Sequence, residues 1–260
     1  MKDFAPTRKG MRELAAGIGV ARPQTIVVAT PHNLRMPKHI GVVMSENTSG
    51  SLAEGRREVR LAVKCDLDLG AALVEEAEVA RLPVVGANYG ALGGPMSDLA
   101  MDWGTLVPLW FFLRTVRPKP KVLVVTPARG IPLRQNFEFG RAVARAAERS
   151  SSRVALVASA DQAHSHMKNG PYGFSPAATT YDRAIVEAVK AGRLGAVMSI
   201  DMKLVEKAKS DSLWQMAVLA GALSIVPMKG RLLSYQVPTY YGMLCASFVR
   251  ERLPSQARNR

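Results

Sequence analysis

The residues of this sequence that are best suited to acid–base or metal chemistry are its four histidines, His32, His39, His164 and His166. His32 follows the apolar run 25–30 after a single proline, and His164 follows the apolar run 153–159. Near neutral pH an imidazole can bind a metal ion or carry a proton. A loop histidine that only caps backbone groups would fit the position of His32 equally well, so both interpretations stay open at this point.

The other two histidines are assigned by their place in the chain. His39 begins the next apolar run, which favours a structural role. His164 and His166 alternate, and in an extended segment alternate side chains point to opposite sides, so only one of the two would face a site. We take His164 as that residue, on the family resemblance described below.

Short apolar runs and helical patterns supply the elements that must hold these residues. Runs without polar alternation, typical of strands covered on both faces, occupy 25–30, 39–44, 121–126 and 153–159. Helical spacing of apolar residues is found at 7–21, 68–82, 133–149 and 180–191, with a buried helix at 213–226. Two further strands, 231–237 and 240–249, end the pattern and can pair antiparallel.

This alternation predicts the α/β class: a single domain over 1–260, with a central mostly parallel or mixed sheet flanked by helices on both faces. The ends, 1–6 and 251–260, are expected to be flexible. In such sheets ligands bind beyond the carboxyl ends of the strands, which is where His32 and the loop 159–166 are expected.

Composition limits the partners and the compartment. The 35 Lys and Arg outnumber the 21 Asp and Glu, for a formal net charge of +14. This excess fits a surface rich in arginine, or attraction of a small acidic substrate. Basic and aromatic residues do not interleave, so nucleic acid is not favoured as a partner. No apolar run is long enough for a membrane span, and two cysteines make no disulfide framework, so we expect a cytoplasmic protein.

Several enzyme classes are excluded by motif. The sequence contains no GxSxG nucleophile elbow, no Walker A loop and no HExxH zinc motif. The glycine-rich stretch 86–94 does not match the dinucleotide fingerprint and is better interpreted as a flexible loop that lines a pocket.

Seven segments, in order, resemble the class III extradiol ring-cleavage dioxygenases, a superfamily that includes Memo-like proteins and DOPA-dioxygenases. They include a strand followed by Pro-His, an Asp-x-Gly…Val-Pro-Leu element and a Ser-x-Asp-x-x-His loop. The segments are 23–32, 102–109, 159–164, 170–173, 181–182, 211–222 and 239–243.

The resemblance implies a reaction and a set of residues. Members cleave a catechol-like or aminophenol-like ring with O₂, using Fe(II) bound by two histidines and one carboxylate. A further histidine moves protons. By position, His32 and Asp211 would bind the iron and His164 would be the acid–base residue. The expected pocket residues are Trp103, His166 and Tyr172. A homo-oligomer is compatible with this class.

Three departures from the family pattern support an alternative to the dioxygenase function. Residues 1–30 contain no histidine, so either the family's first strand lies outside this sequence or the iron site lacks one ligand. Trp103 stands where a pocket histidine is usual, and an indole cannot shuttle protons. Asp211 replaces the commoner glutamate; Glu206 is a second candidate carboxylate, and His39 a candidate third ligand. The alternative is a divergent, non-catalytic binding protein on the same fold.

Overall fold

The central sheet has five strands, four of which are formed by the predicted apolar runs; the fifth, β5, lies outside them. The computed structural model describes residues 4–250. The strands are β1 (Thr25–Ala29), β2 (Ile40–Val43), β5 (Val84–Ala87), β7 (Lys121–Thr126) and β8 (Val154–Ala158). Every residue of β1 and β2 is buried, which confirms the expectation that continuous apolar runs form strands covered on both faces.

The sheet order is β5-β2-β7-β1-β8, and the sheet is mixed. β1 runs parallel to both β7 and β8, and β5 runs parallel to β2, whereas β2 and β7 are antiparallel. The carboxyl ends of β1, β7 and β8 therefore lie at one edge of the sheet. We call this edge, with the loops 30–37, 127–131 and 159–166 that leave it, the carboxyl edge.

Helices cover both faces of the sheet. They are α1 (Ala5–Ala21), α2 (Leu67–Val79), α3 (Trp103–Phe112), α4 (Leu133–Arg149), α5 (Pro176–Lys190), α6 (Met202–Ala208) and α7 (Leu213–Ile225), with a 3-10 helix at Leu194–Ser199. Alternate strand residues separate the two faces: Val27 and Leu123 pack towards α2 and α4, while Ile26 and Val122 pack towards α1 and α3. The α/β fold with a flanked mixed sheet is thus confirmed.

Helices α4 and α7 pack closely where two glycines meet the opposite helix backbone. A Cβ on Gly140 would overlap the carbonyl oxygen of Val218, and one on Gly221 would overlap the carbonyl oxygen of Phe137. Only glycine allows the two backbones to approach this closely. A third apolar cluster packs α5, α6 and α7 against each other beside this crossing.

Two small sheets complete the fold. β3 (Asn47–Glu54) and β4 (Arg57–Lys64) form a hairpin whose turn contains Gly55 at φ 59°, and β6 (Asp98–Ala100) pairs parallel with β3. The sequence patterns did not predict this hairpin, because most of its residues are polar or exposed. β9 (Lys229–Gln236) and β10 (Met243–Val249) pair antiparallel, as expected for the last two runs.

Two predicted helix starts differ from the structure. α5 begins at Pro176, four residues before the predicted start, because Ser175 accepts a hydrogen bond from the N–H of Ala177 and proline suits the first turn. Ala5 and Pro6, expected to be flexible, are the first residues of α1. Residues 1–3 and 251–260 lie outside the described residues. Within 4–250, no helix combines the length and the apolar character that crossing a membrane requires.

Candidate functional site

His32 lies in the loop that leaves β1 at the carboxyl edge, against the start of α3. Its ring meets the ring of Trp103 edge-on, with centroids 5.8 Å apart and planes at 71°. Asn33 follows with a left-handed backbone, φ 66°, and its side chain donates to the carbonyl of Ala100. This turn and its anchor fix where the His32 loop leaves the strand.

The Asp-x-Gly element at 102–104 holds α3 against the end of β1. Asp102 caps α3 by accepting from the N–H of Thr105, and its Oδ2 accepts a 2.5 Å hydrogen bond from the hydroxyl of Thr30. A Cβ on Gly104 would lie 2.5 Å from that same hydroxyl oxygen, so glycine is required there. The element therefore positions Trp103, which is exposed, beside His32.

His164 lies in the loop after β8, and its ring nitrogens have distinct surroundings. Nδ1 is 2.7 Å from the carbonyl oxygen of Lys209. Because a carbonyl only accepts, Nδ1 carries a proton, and Nε2 is the atom left to exchange one. Nε2 lies 3.6 Å from a carboxylate oxygen of Asp161.

Burial lowers the pKa of His164, but the nearby carboxylate of Asp161, the hydrogen bond to the Lys209 carbonyl and the charge of Asp211 outweigh it. The net effect is a pKa above the usual value of a histidine. Three tyrosine rings, with centroids 5.5 to 6.1 Å from that of His164, surround the imidazole: Tyr172, Tyr240 and Tyr241. Asp161, the Lys209 carbonyl and Asp211 therefore stabilise the charged form of His164 more than water stabilises that of an ordinary histidine.

Asp211 lies between α6 and α7, and most of its side chain is buried. One oxygen, Oδ2, is 3.5 Å from Nη2 of Arg129; the other, Oδ1, is buried without a hydrogen-bond partner. Burial raises the pKa of Asp211, while the charges of His164, Arg129 and His32 oppose the rise. His32 and His164, from two distant segments, thus both lie within electrostatic range of Asp211.

Arg129 is a member of this group that the sequence analysis missed. It follows β7 at the carboxyl edge, and its guanidinium lies over the ring of Trp214, 4.8 Å from the centroid. Burial lowers the pKa of Arg129, and the neighbouring charge of Arg35 lowers it further, against the opposing effect of Asp211. The signal available in the sequence was a cation in the loop that follows a buried strand, at the same sheet edge as His32.

His166 has partners of a different kind from those of His164. Its Nε2 is 2.9 Å from Oδ2 of Asp182, and its side chain is almost fully buried. His164 therefore lies near Asp211 and His166 against Asp182, and the expected pocket role of His166 stays a prediction. Tyr172, by contrast, is exposed beside His164, at the mouth of the aromatic pocket.

A cavity of about 200 Å³ opens next to His32. The residues that line it are Pro31, His32, Leu34, Arg35, Met36, Pro37, Thr126, Pro127, Arg129 and Gly130. A wider groove of about 710 Å³ lies at the opposite end of β1 and β7 and contains none of the predicted site residues. The cavity at the carboxyl edge is therefore the one that adjoins the candidate site.

The donors at this edge match Fe(II) in kind but not in number. An imidazole and a carboxylate are ligands that non-haem iron accepts, and the unpartnered Oδ1 of Asp211 is a free donor atom. No group of three or more His, Cys, Asp or Glu side chains able to hold a metal ion occurs within residues 4–250. His39 and Glu206 are both exposed, His39 just before β2 and Glu206 on the outer side of α6.

Comparisons with known proteins agree with this fold and order of motifs. Residues 2–244 match the model of the LigB family, described as the catalytic LigB subunit of aromatic ring-opening dioxygenase. Protein CA_C1420 of Clostridium acetobutylicum is 29% identical over 236 residues, which are 90% of this chain and 50% of that protein. The chain thus spans half the length of this relative.

The fold has a counterpart among solved structures. The uncharacterized protein JW3007 from Escherichia coli K12 superimposes with a TM-score of 0.60 at 17% sequence identity, covering 92% of this chain and 91% of the other. At that identity the likeness concerns the fold alone. Since the family model spans nearly the whole sequence, the chain belongs to the family of the catalytic LigB subunit of aromatic ring-opening dioxygenases.

Proposed function

We propose that this protein opens the ring of a catechol-like or aminophenol-like substrate with O₂, and that Fe(II) is its cofactor. The observation that supports the proposal is that His32 and His164 both act electrostatically on Asp211, whose buried Oδ1 has no hydrogen-bond partner. A bound Fe(II) would supply a centre that brings the substrate oxygens and O₂ together.

In this proposal His32 and Asp211 are the residues that hold the metal. Oδ1 of Asp211 has no hydrogen-bond partner, and the ring of His32 contacts the ring of Trp103 edge-on. Two protein donors bind more weakly than three, so we expect weaker Fe(II) binding than at a site with two histidines and a carboxylate. Binding is also expected to displace or loosen the contact between Arg129 and Asp211, because both cations use the same carboxylate.

His164 is proposed to move the proton. Its Nε2 would accept a proton from a substrate hydroxyl and later return it, while the Lys209 carbonyl keeps the proton on Nδ1. Asp161, 3.6 Å from Nε2, stabilises the imidazolium formed in between. Tyr172, Tyr240 and Tyr241 supply aromatic walls that can hold a substrate ring and exclude water.

The test is anaerobic reconstitution with Fe(II), followed by O₂ uptake across a panel of catechols and aminophenols. His164→Ala is expected to lower turnover by a factor of about 100 or more while iron content stays close to that of the wild type. His32→Ala is expected to lose the iron. The exposed His39 provides a matched control, and His39→Ala should keep both iron and activity.

Three outcomes would contradict the proposal. The first is absence of O₂ uptake with every substrate by protein that has bound Fe(II). The second is equal iron content in His164→Ala and His32→Ala, which would remove the separate roles. The third is iron loss in His39→Ala as large as in His32→Ala. The predicted cytoplasmic location and homo-oligomeric state stay predictions.

A further inference from the structure

The groove of about 710 Å³ lies at the amino ends of β1, β7 and β8, on the far side of the sheet edge from the candidate site. Its walls come from the segments 22–25, 116–121 and 149–153 and from the start of α2. We call it the basic groove, and we propose that it binds a small molecule that carries two or more phosphate groups. The inference goes beyond the proposed function, because no residue of the candidate site lines this groove.

The first argument is the excess of positive charge among the residues that line the groove. Two of these residues are acidic and six are cationic, namely Arg22, Arg117, Lys119, Lys121, Arg149 and Arg153. The buried lining residues Pro23, Leu69, Val116 and Pro120 are apolar. A cleft of one charge sign with low-dielectric walls concentrates the electric field, so it attracts anions more strongly than a flat surface does.

The second argument is that the fold compensates only two of the six cations with acidic side chains. Arg149 pairs with Glu76, and Nζ of Lys121 lies 3.8 Å from a carboxylate oxygen of Asp66 and 3.9 Å from one of Asp68. The other four form no ion pair with any residue of the described range 4–250: Arg22, Arg117, Lys119 and Arg153. Their charge is therefore available to an anionic ligand.

The third argument is that backbone carbonyls hold two of the uncompensated guanidinium groups. Nη1 of Arg117 donates to the carbonyls of Leu113 and Val116, both at 2.7 Å, and Nε of Arg153 donates to the carbonyl of Arg22 at 3.0 Å. A carbonyl has no net charge, so these bonds orient the guanidinium without neutralising it. Each group keeps further N–H donors, and less side-chain entropy is lost when an anion binds to them.

The size of the groove and its donors favour phosphate groups on a small molecule. A volume of about 710 Å³ lies within the roughly 300–1,000 Å³ of small-molecule sites. A phosphate group brings about −1.5 to −2 charges and three strong acceptor oxygens, whereas a carboxylate brings a single charge. Ser150, Ser151 and Ser152 line the same groove and add hydroxyl donors. Four uncompensated cations therefore match two phosphate groups better than they match one carboxylate.

Isothermal titration calorimetry with the metal-free protein tests the inference. The probe is inorganic tripolyphosphate, and it is compared with orthophosphate and with citrate, a compact polyanion that has no phosphate group. We expect tripolyphosphate to bind at least about 10-fold more tightly than either, because it forms several charge-assisted hydrogen bonds at once. Since the protein holds no iron in this experiment, the result is independent of the O₂ uptake test.

A pair of double variants assigns the binding to the groove. Lys119→Gln combined with Arg153→Gln removes two uncompensated cations, both exposed, and should weaken the binding of tripolyphosphate by a factor of about 10 or more. Arg56→Gln combined with Arg57→Gln removes the same charge at the exposed turn of the β3–β4 hairpin. This control should bind as the wild type does, because salt screens charges that lie far from the ligand.

Two single variants test the sign and the place of the interaction. Asp68→Asn removes an acidic lining residue whose side chain is almost fully exposed, and it should tighten the binding of tripolyphosphate by a factor of about 2 to 5. Arg35→Gln removes a cation of the cavity beside His32, and it should leave the affinity unchanged. Circular dichroism would verify that each variant is folded.

Each contrary outcome overturns a stated part of the inference. Citrate or orthophosphate that binds as tightly as tripolyphosphate would overturn the ligand class. Equal weakening in the two double variants would mean attraction to the overall charge of the protein, and equal weakening in Arg35→Gln would place the ligand in the cavity beside His32. A short single-stranded DNA that binds more tightly than tripolyphosphate would replace the small molecule by nucleic acid.

Discussion

Asp182 and Asp211 are largely buried aspartates whose pKa values are both raised, but their carboxyl oxygens differ in how many hydrogen bonds they accept. Burial raises the pKa of both carboxyl groups. Oδ1 of Asp182 accepts from the N–H of Ala163, and its Oδ2 accepts from the hydroxyl of Tyr235 and faces Nε2 of His166. Asp211 has one long contact to Arg129, and its Oδ1 has no hydrogen bond.

The comparison separates a carboxylate that serves the fold from one available to a ligand. Asp182 lies in α5 and connects it to the loop after β8 and to β9, so its contacts hold three segments of the chain together. A buried carboxylate is costly unless its oxygens are satisfied. The protein satisfies Asp182 with its own groups and leaves Asp211 incompletely satisfied, as expected of a binding site.

The largest expected effect on stability is that of Asp182→Ala. The substitution leaves three donors without an acceptor in the interior, so the free energy of unfolding should fall by about 3 kcal/mol. Urea unfolding followed by circular dichroism measures the loss as a lower midpoint. A fall of less than about 1 kcal/mol would mean that Asp182 does not hold these segments together.

Asp211→Asn should have a much smaller effect on folding. The contact that it breaks is long, and about a third of the Arg129 side chain is exposed, so the free energy of unfolding should change by no more than about 1 kcal/mol. The same urea experiment measures it beside Asp182→Ala. If Asp211→Asn destabilised the protein as much as Asp182→Ala, the distinction between the two aspartates would fail.

The stability of the wild type should depend on pH in a way that the stability of Asp182→Asn does not. Burial raises the pKa of Asp182 in the folded protein, so protonation of this carboxyl stabilises the folded state. That stabilisation is complete below the usual aspartate pKa of about 3.9 and is lost as pH rises through the folded-state pKa. The free energy of unfolding of the wild type, relative to that of Asp182→Asn, should therefore fall as pH rises from about 3.9 to the folded-state pKa of Asp182. The groups that face the carboxyl are His166 and Tyr235, and Tyr235→Phe tests their share.

The smallest expected effect is that of Asp161→Asn on His164. Asp161 is half exposed, and its removal takes away one of the groups that raise the pKa of His164 while the Lys209 carbonyl remains. The pKa of His164 should therefore decrease, as an NMR titration of the imidazole would show. Glu206→Gln, on the exposed side of α6, is a matched control. An unchanged or increased pKa would remove Asp161 from the account of proton transfer.

Local sequence patterns predicted the strands β1, β2, β7 and β8, because continuous apolar runs are typical of strands buried on both faces. A loop that follows the carboxyl end of such a strand is where ligands bind in α/β sheets. His32 and His164 were singled out because they lie in the loops that follow β1 and β8. Asp211 was predicted only through the resemblance of its segment to a known family.

Residues whose roles depend on long-range contacts were missed. Arg129 matches no motif, and only folding brings it to Asp211. His166 contacts Asp182, which is 16 residues away in the chain, and Asp182 accepts a hydrogen bond from Tyr235, which is 53 residues away from it. The β3–β4 hairpin was missed because its alternation exposes most of its side chains and leaves little apolar signal.

The most direct test of the account is an anaerobic Fe(II) titration of the wild type, Asp211→Asn and Asp182→Asn, under conditions in which circular dichroism shows all three folded. We expect the wild type and Asp182→Asn to bind Fe(II) alike, and Asp211→Asn not to bind it. Fe(II) binding by Asp211→Asn equal to that of the wild type would contradict the assignment of Asp211 to the metal.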